Sequence, residues 1–435
     1  MILNSIKATV LDDYVNTPDP NFGWKRLRTY AYPTYMLYIL NMTSQQWFDA
    51  SFSSQPIWWH YMIITVPRTF RRPHIAFIFI DGGDNTDSIP TSSSVTMLAE
   101  STGSVAVELK QIPNQPIRFM ADPTQESRTE DAIIAWTWKT FIEQNGTNPY
   151  ILLRMPMTKA AVRGMDTTEQ LLEEEGYPVP KNFVVAGLSK RGWTTWTTAA
   201  VNNQRVSAAI PIVLDILNLQ KNMMHHYRSL AGWTFAFYNY YQMNITRYLN
   251  NPYLQKLASI VDPYSYFDRY AKVKLFQLQG ANDEFFLPDS EKQILPSFKW
   301  TRIINQTHGQ IVGVVDFSDG QPKPIKATVY QARTVNGTKR DFRQEKVDPK
   351  TGQIVQNPIV WLNKPVKIEV QTNRSITYSY TASMPPSGYW YGMFIQVTFV
   401  GLESTILDLT TETLILPNTF PADSCTGESC FGTLV

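Results

Sequence analysis

Phe183-Val184-Val185-Ala186-Gly187-Leu188-Ser189-Lys190-Arg191-Gly192 decides how this chain is read. The first four residues form an apolar run that suits a buried strand, and Trp193 to Val201 can continue as a helix. Between them a serine sits on a strand-to-helix turn with glycines close on either side. Such a turn lifts a hydroxyl clear of the backbone, where a base can reach it. Further on, a strand over Val273 to Leu278 leads into Asp283, and a lone histidine, His308, follows. Ser, then Asp, then His is the chain order of an α/β-hydrolase.

A serine hydroxyl is a poor nucleophile until a base takes its proton, and neutral imidazole is the usual base. The chain has five histidines. His60 and His74 precede the serine, and His225-His226 precedes the acid strand. In this fold the base follows the acid, which leaves His308; the competing reading is a structural histidine. The orienting acid should lie just past a core strand. Lys272 to Gly280 ends such a strand and Asn282-Asp283-Glu284 follows at once, so Asp283 is the expected acid. Asp289, after Pro288, is the alternative acid, and a solvated loop carboxylate is the bland reading of both.

A tetrahedral oxyanion needs two donors. One is expected from the backbone N–H of Lys190, the other from the loop after the third strand, where Gly82-Gly83 permits close approach. Asp81, Asp84 and Asp87 around those glycines lack a calcium-loop pattern and read as a turn, so neither a metal nor a cofactor is expected. One position departs from G-x-S-x-G: Arg191 replaces the second glycine, and Gly192 comes one later. A bulky side chain there would strain or block the elbow. The G-x-S-R-x-G motif of glucuronoyl esterases is a related solution, in which the basic residue after serine helps to hold the oxyanion. By that resemblance Lys190 would act likewise.

With 435 residues the chain can hold one large α/β domain plus a smaller module. Hydrophobic residues at 43%, charged residues at 17%, and 12 Trp, 22 Tyr and 22 Phe supply a large core and argue against disorder. A net charge of +2 without any long Lys/Arg block gives nucleic acid no electrostatic case. No run is long enough to span a bilayer, and Met1 to Asp13 lacks an apolar signal core. Sequons at Asn41, Asn145, Asn244, Asn305, Asn336 and Asn373 nevertheless point to a secreted glycoprotein. Cys425 and Cys430 in a Gly/Ser-rich tail read either as a small disulfide loop or as two free thiols.

Buried strands are expected at Ile57 to Val66, His74 to Ile80, Tyr150 to Leu153, Phe183 to Ala186, Ala208 to Val213 and Val273 to Leu278, with a helix over Thr129 to Glu143. From about Asp316, period-two runs take over: Ile325 to Tyr330, Val366 to Val370, Ile376 to Tyr380, Met393 to Phe399 and Thr413 to Leu416. The expectation is an α/β-hydrolase domain over 1–314, a C-terminal all-β sandwich over 315–420, and a Cys-containing tail over 421–435. Met223 to Tyr253 is dense in aromatics, among them Trp233, Phe237, Tyr240 and Tyr241. It falls between two core strands and reads as a cap, about 218–262, or else as helix-to-sheet packing.

Several stretches resemble the PhoPQ-activated pathogenicity-related family: Leu11 to Val15 with Pro18-Asp19-Pro20, Ile80 to Gly83, Pro113 to Pro116, Arg154 to Lys159, Ala186 to Trp196, and Asp283 to Ser290. The resemblance implies an α/β-hydrolase domain followed by a β-sandwich, secreted or envelope-associated members, and Ser189, Asp283 and His308 where such a fold places its triad. Relatives carry a long helix and a strand between the histidine and the sandwich, whereas here Thr307-His308-Gly309 runs almost directly into Val314 to Phe317. Two functions follow. One is a secreted serine hydrolase cleaving an ester or amide bond of a small or peptide substrate through an acyl-enzyme. The other is a secreted autocrine signal that restrains proliferation by binding a cell-surface receptor, the hydrolase fold serving as scaffold; Arg191 and the trimmed region after His308 favour it. Carbohydrate binding by the aromatic segment or the sandwich is a third reading.

Overall fold

The computed structural model describes residues 8–288, 298–317, 323–400 and 406–435. The chain divides into two compact units. The first is Met1–Asn218 with Gln242–Ile245 and Asn250–Leu278; the second is Leu219–Tyr241, Thr246–Leu249 and Gln279–Val435.

The first unit is built on eight strands: β1 (Gly23–Ala31), β2 (Tyr35–Gln46), β3 (Ile57–Pro67), β4 (Ile75–Ile80), β5 (Val105–Leu109), β6 (Asn182–Leu188), β7 (Val206–Ile212) and β8 (Lys274–Leu275). They lie in the order β1-β2-β3-β5-β4-β6-β7-β8. The first three and the β3–β5 pair are antiparallel, and β5-β4-β6-β7-β8 is parallel. From β4 the chain moves outward to β5, then crosses back to β6 on the other side of β4. That reversal puts a topological switch point at the carboxyl ends of β4 and β6, where open α/β sheets bind ligands.

Its helices include α1 (Val10–Asn16), α2 (Thr96–Thr102), α3 (Glu130–Glu143), α4 (Arg154–Glu174) and α5 (Lys190–Val201). Alternation along β4 shows why both sheet faces need cover. Phe77 and Phe79 point one way, onto Val95, Ala99 of α2 and Ala106. Ile78 points the other way, under α4, where a Cβ on Gly164 would come within 3.1 Å of Leu109 and 3.3 Å of Ile78. Glycine there lets α4 lie close to the sheet. Helix α5 carries four fully buried threonines, Thr194, Thr195, Thr197 and Thr198. Threonine is a mediocre helix former, but the hydroxyls of Thr194, Thr195 and Thr197 donate to carbonyls one turn back, and that of Thr197 also meets Thr158 of α4 at 2.7 Å.

Two expected strands come out differently. Tyr150 to Leu153 begins a helix: Pro149–Ile151 is a 3-10 turn whose Asn148 side chain accepts the Tyr150 N–H at 3.2 Å, and it runs into α4. A four-residue apolar run does not distinguish strand from helix, and proline at a first helical position tips it. The expected strand over Val273 to Leu278 shrinks to the two residues of β8 plus one bridge between Ile212 and Leu278. Among the described residues the sheet ends there.

The second unit holds β9 (Phe298–Ile304), β10 (His308–Asp316), β11 (Pro324–Arg333), β12 (Glu345–Val347), β13 (Ile354–Gln356), β14 (Leu362–Lys364), β15 (Lys367–Gln371), β16 (Ser375–Ser383), β17 (Tyr391–Val400), β18 (Ile406–Thr410) and β19 (Leu414–Leu416). One antiparallel sheet runs β15-β16-β10-β9 and another β14-β11-β17-β18, with β19 also on β17; β12 and β13 pair separately. Inward residues of both larger sheets form one cluster, including Phe298, Ile311, Val329, Tyr378, Ile395 and Leu416. The expected boundary at 314 falls inside β10. The β9–β10 hairpin therefore belongs to the second unit, which starts earlier in the chain than the change of texture suggests.

The aromatic segment contains α6 (Leu219–Leu230), α7 (Tyr238–Gln242) and α8 (Pro252–Val261). Leu219–Tyr241 belongs to the second unit and α8 to the first. Trp233 is fully buried, and its indole N–H donates to the Cys430 carbonyl at 2.9 Å. Its backbone exchanges hydrogen bonds with Thr433 and Val435 at 2.9 and 2.8 Å, and Tyr241 stacks on Phe431. A disulfide joins Cys425 to Cys430 in this tail.

Candidate active site

Ser189 lies between β6 and α5 with φ 51° and ψ −126°. A non-glycine residue in that region costs about 1–3 kcal/mol and persists only where its surroundings enforce it. Two hydrogen bonds do so: the Ser189 N–H donates to Ile212 O at 2.8 Å, and its carbonyl accepts from Trp193 N–H at 3.0 Å. Close packing does the rest. A Cβ on Gly187 would lie 2.7 Å from the Arg191 carbonyl oxygen, and one on Gly192 would lie 3.0 Å from the carbonyl oxygens of Gly187 and Ile212. The first turn of α5 presses on the ends of β6 and β7 too closely for side chains at 187 and 192. The second glycine is thus needed at 192 here.

Arg191 does not fill the elbow. Its guanidinium makes a paired contact with Glu130, 2.8 and 2.5 Å to the two carboxylate oxygens, while Nε donates to the Ile112 carbonyl at 2.5 Å. It also covers Gly82, where a Cβ would stand 2.8 Å from Nη2. The loop after β4 begins beside the elbow because Ile80 pairs with Gly187. Its three aspartates act as turn formers and an ion-pair partner. Asp81 meets Lys110 at 2.7 Å, Asp84 accepts from the Thr86 amide and hydroxyl, and Asp87 accepts the Asp84 N–H. Gly83 has φ 133°, and a Cβ there would meet the Asp87 carboxylate at 2.7 Å.

Lys190 is the first residue of α5, so its amide N–H has no partner within the helix. Its side chain is committed elsewhere: Nζ lies 2.9 Å from Glu130 and 2.9 Å from Asp131. The ammonium is thus matched by two carboxylates. Burial pushes the Glu130 carboxyl upward, but hydrogen bonds from Arg191 and the charges of Arg191 and Lys190 outweigh it, and it settles at about 2. Spacing in the sequence gives no signal for Glu130, Asp131 or Gln115; only the resemblance marks Pro113 to Pro116.

The remaining candidates belong to the second unit. Asp283 follows β8 in a loop, and its Oδ1 accepts the N–H groups of Phe285 and Phe286, both at 2.8 Å. His308 opens β10, paired with Ser383. Its Nε2 lies 3.2 Å from Asn305 Nδ2 and its Nδ1 3.0 Å from Thr307 Oγ1, both neighbours in its own hairpin turn. Asp289 lies outside the described residues. The first unit thus brings together Ser189, Lys190, Gly82 and Gly83, and holds neither Asp283 nor His308.

The other histidines are engaged or remote. His60 is fully buried between Ser44 Oγ at 2.9 Å and the Lys110 carbonyl at 3.1 Å, and burial pushes it down to about 4. His74 precedes β4, at the opposite end of the strands from Ser189. His226 accepts the Thr234 N–H at 3.0 Å, with burial and the Arg343 charge holding it at about 3. Of the sequon asparagines, Asn145, Asn305, Asn336 and Asn373 are exposed, and Asn41 and Asn244 are half-buried.

A strained serine at the switch point of a mostly parallel sheet, flanked by glycines without room for a β carbon, defines a fold of the α/β-hydrolase type. The chain belongs to the PhoPQ-activated pathogenicity-related protein family, whose model matches residues 11–317. It is 35% identical over 484 residues to autocrine proliferation repressor protein A of Dictyostelium discoideum, covering 99% of this chain and 95% of that protein. Among solved structures it is similar to an acetyl xylan esterase from Paenibacillus sp. R4, at 10% identity and TM-score 0.40, covering 62% of this chain and 75% of that one. It is similar also to acetyl xylan esterase 1 from Thermoanaerobacterium sp. JW/SL YS485, at 15% identity and TM-score 0.39, covering 64% and 81%. Likeness that loose carries no substrate from those enzymes to this chain. Among the described residues no helix is long and apolar enough to cross a membrane.

Proposed function

We propose that this protein is a secreted serine hydrolase that cleaves ester or amide bonds of small or peptide substrates. The single observation that carries the reading is the backbone of Ser189: φ 51° at the carboxyl end of a central parallel strand, held by packing that leaves no space for side chains at 187 and 192. Strain of this kind is maintained where a side chain must be presented. In the proposed reaction the Ser189 oxygen bonds to the substrate carbonyl carbon as its proton passes to the His308 imidazole, which Asp283 orients. The amides of Lys190 and Gly83 receive the oxyanion. Collapse expels the alcohol or amine, which takes the proton from the imidazole, and water then hydrolyses the acyl-enzyme. With this we read the two larger sheets of the second unit as a sandwich, the aromatic segment as a cap over substrate, and the exposed sequons as glycan sites of a secreted chain.

A second reading is favoured by particular observations. His308 is tied into the β9–β10 hairpin by Asn305 and Thr307, and the relative that matches along almost the whole chain is named for repressing proliferation. On this reading the protein is a non-catalytic autocrine signal recognised by a cell-surface receptor, with the hydrolase fold as scaffold.

A fluorophosphonate probe separates the two. For the hydrolase, the wild type is labelled at Ser189, Ser189→Ala removes the label, and His308→Ala slows labelling by about 10²-fold or more. Labelling that is lost in Ser189→Ala but untouched in His308→Ala keeps the nucleophile and rejects His308 as base. A folded wild type that stays unlabelled while slowing cell growth makes it a signal.

A further inference from the structure

Glu130 has contacts beyond what an ordinary surface ion pair requires. It opens α3 with φ 51°, so this side chain too is set by a backbone conformation that costs energy. Its carboxylate accepts from Arg191 at 2.8 and 2.5 Å, from Lys190 at 2.9 Å, and from Gln115 Nε2 at 2.7 Å. Its own N–H donates to Gln115 Oε1 at 2.8 Å. Gln115 Nε2 in turn donates to the Gly83 carbonyl at 3.1 Å, and the Gln115 carbonyl accepts the Asn85 N–H at 2.6 Å. Lys190 and Arg191 are the two residues after the elbow serine, while Gly83 and Asn85 lie in the loop after β4. One carboxylate thus joins the two backbone segments expected to supply the two oxyanion donors.

We infer that Glu130 is a positioning residue: through Arg191 on one side and Gln115 on the other, it latches the Gly82-Gly83 loop to the nucleophile elbow and sets the spacing of the Lys190 and Gly83 amides. The latch stands on geometry alone, and its effect on reaction rate rests on the hydrolase reading above. Preorganised donors act only at the right distance, so loosening one relative to the other lowers the rate of attack without removing any group that touches the substrate. Charge-assisted, two-pronged Arg–carboxylate contacts are the kind that fix geometry as well as hold charge.

The test is amide hydrogen exchange on the full chain, wild type against Glu130→Ala and the milder Glu130→Gln, followed by phosphonylation of Ser189. If the latch exists, exchange over 81–87 and 111–116 rises by about 10-fold or more in both variants while β1 to β3 exchange as in the wild type. Phosphonylation then slows by about 10- to 100-fold at saturating probe with little change in half-saturation. Adding Arg191→Ala to Glu130→Ala costs little more, since both act on one connection. Wild-type exchange over 81–87 and 111–116 in both variants overturns the latch, whatever the labelling does. Exchange that rises throughout the first unit in both variants also overturns it, marking Glu130 as a stability residue only. A wild type that resists the probe while the exchange response is seen sinks the hydrolase reading and leaves the latch standing.

Discussion

The two units treat their candidate catalytic residues in opposite ways. In the first, Ser189 is shaped by backbone: positive φ, two glycines under a close helix, and a carboxylate that ties neighbouring loops together. In the second, His308 is held by side chains of its own turn, and its conformation is that of an ordinary first residue of a strand. A nucleophile elbow is expensive to maintain and so advertises itself. A histidine in a hairpin is not, and its role has to be established by chemistry.

The comparison extends to acid sensitivity, because each unit buries one neutral histidine. His60 falls from 6.5 to about 4 and His226 from 6.5 to about 3. A folded value below the unfolded one means the unfolded chain takes up the proton first. Stability is therefore full above pH 6.5 and is lost as pH falls toward 4 for the first unit and toward 3 for the second. His60 contributes about 3 kcal/mol and His226 about 5 kcal/mol to that loss. Denaturant titrations between pH 7 and 4 should show it, with His60→Gln flattening the pH dependence of the first unit alone and His226→Gln that of the second. If His60→Gln flattens both, the two units unfold as one and the contrast drawn above is too sharp.

The close packing under the elbow predicts the next effect. Gly187→Ala should destabilise the first unit by about 2–3 kcal/mol, because the added carbon meets backbone atoms of Arg191 that cannot swing away. Gly23→Ala, in the same unit with nothing near the added carbon, should stay within about 0.5 kcal/mol of wild type. Equal thermal midpoints for the two variants would mean the elbow is looser than its geometry states. In the second unit, replacing Cys425 and Cys430 by serine opens a short loop and should cost about 2 kcal/mol. Calorimetry should place that loss in the transition of the second unit and leave the first unchanged.

The parallel core was legible where burial on both faces leaves continuous apolar runs, as in β4 and β6, and so was the turn at Ser189. β5 is hidden in the sequence although Val105-Ala106-Val107-Glu108-Leu109 is buried at every position: Glu108 breaks the apolar run, and its carboxylate is accommodated by Ser93 and Ser94. The hairpin β9–β10 is hidden for a different reason. Lys299, Thr301 and Arg302 make β9 read as polar connection, so the sequence pattern joins it to the preceding domain. At the site, serine and glycines could be read from spacing because the elbow is local in sequence. Glu130 and Gln115 could not, since they reach the elbow only through the fold, 61 and 76 residues before Arg191 in the chain. Chain order singles out His308, and order says nothing about which core a strand will join.

The partnership of Trp233 with the tail sets a timetable for synthesis. The indole finds its acceptor 197 residues later in the chain, and its backbone pairs with residues later still. The hydrolase sheet can assemble as it leaves the ribosome, but the aromatic segment must wait, its rings exposed to chaperones or to one another, until the last residues of this sequence emerge. Removing residues 430–435 would reach the middle of the polypeptide first.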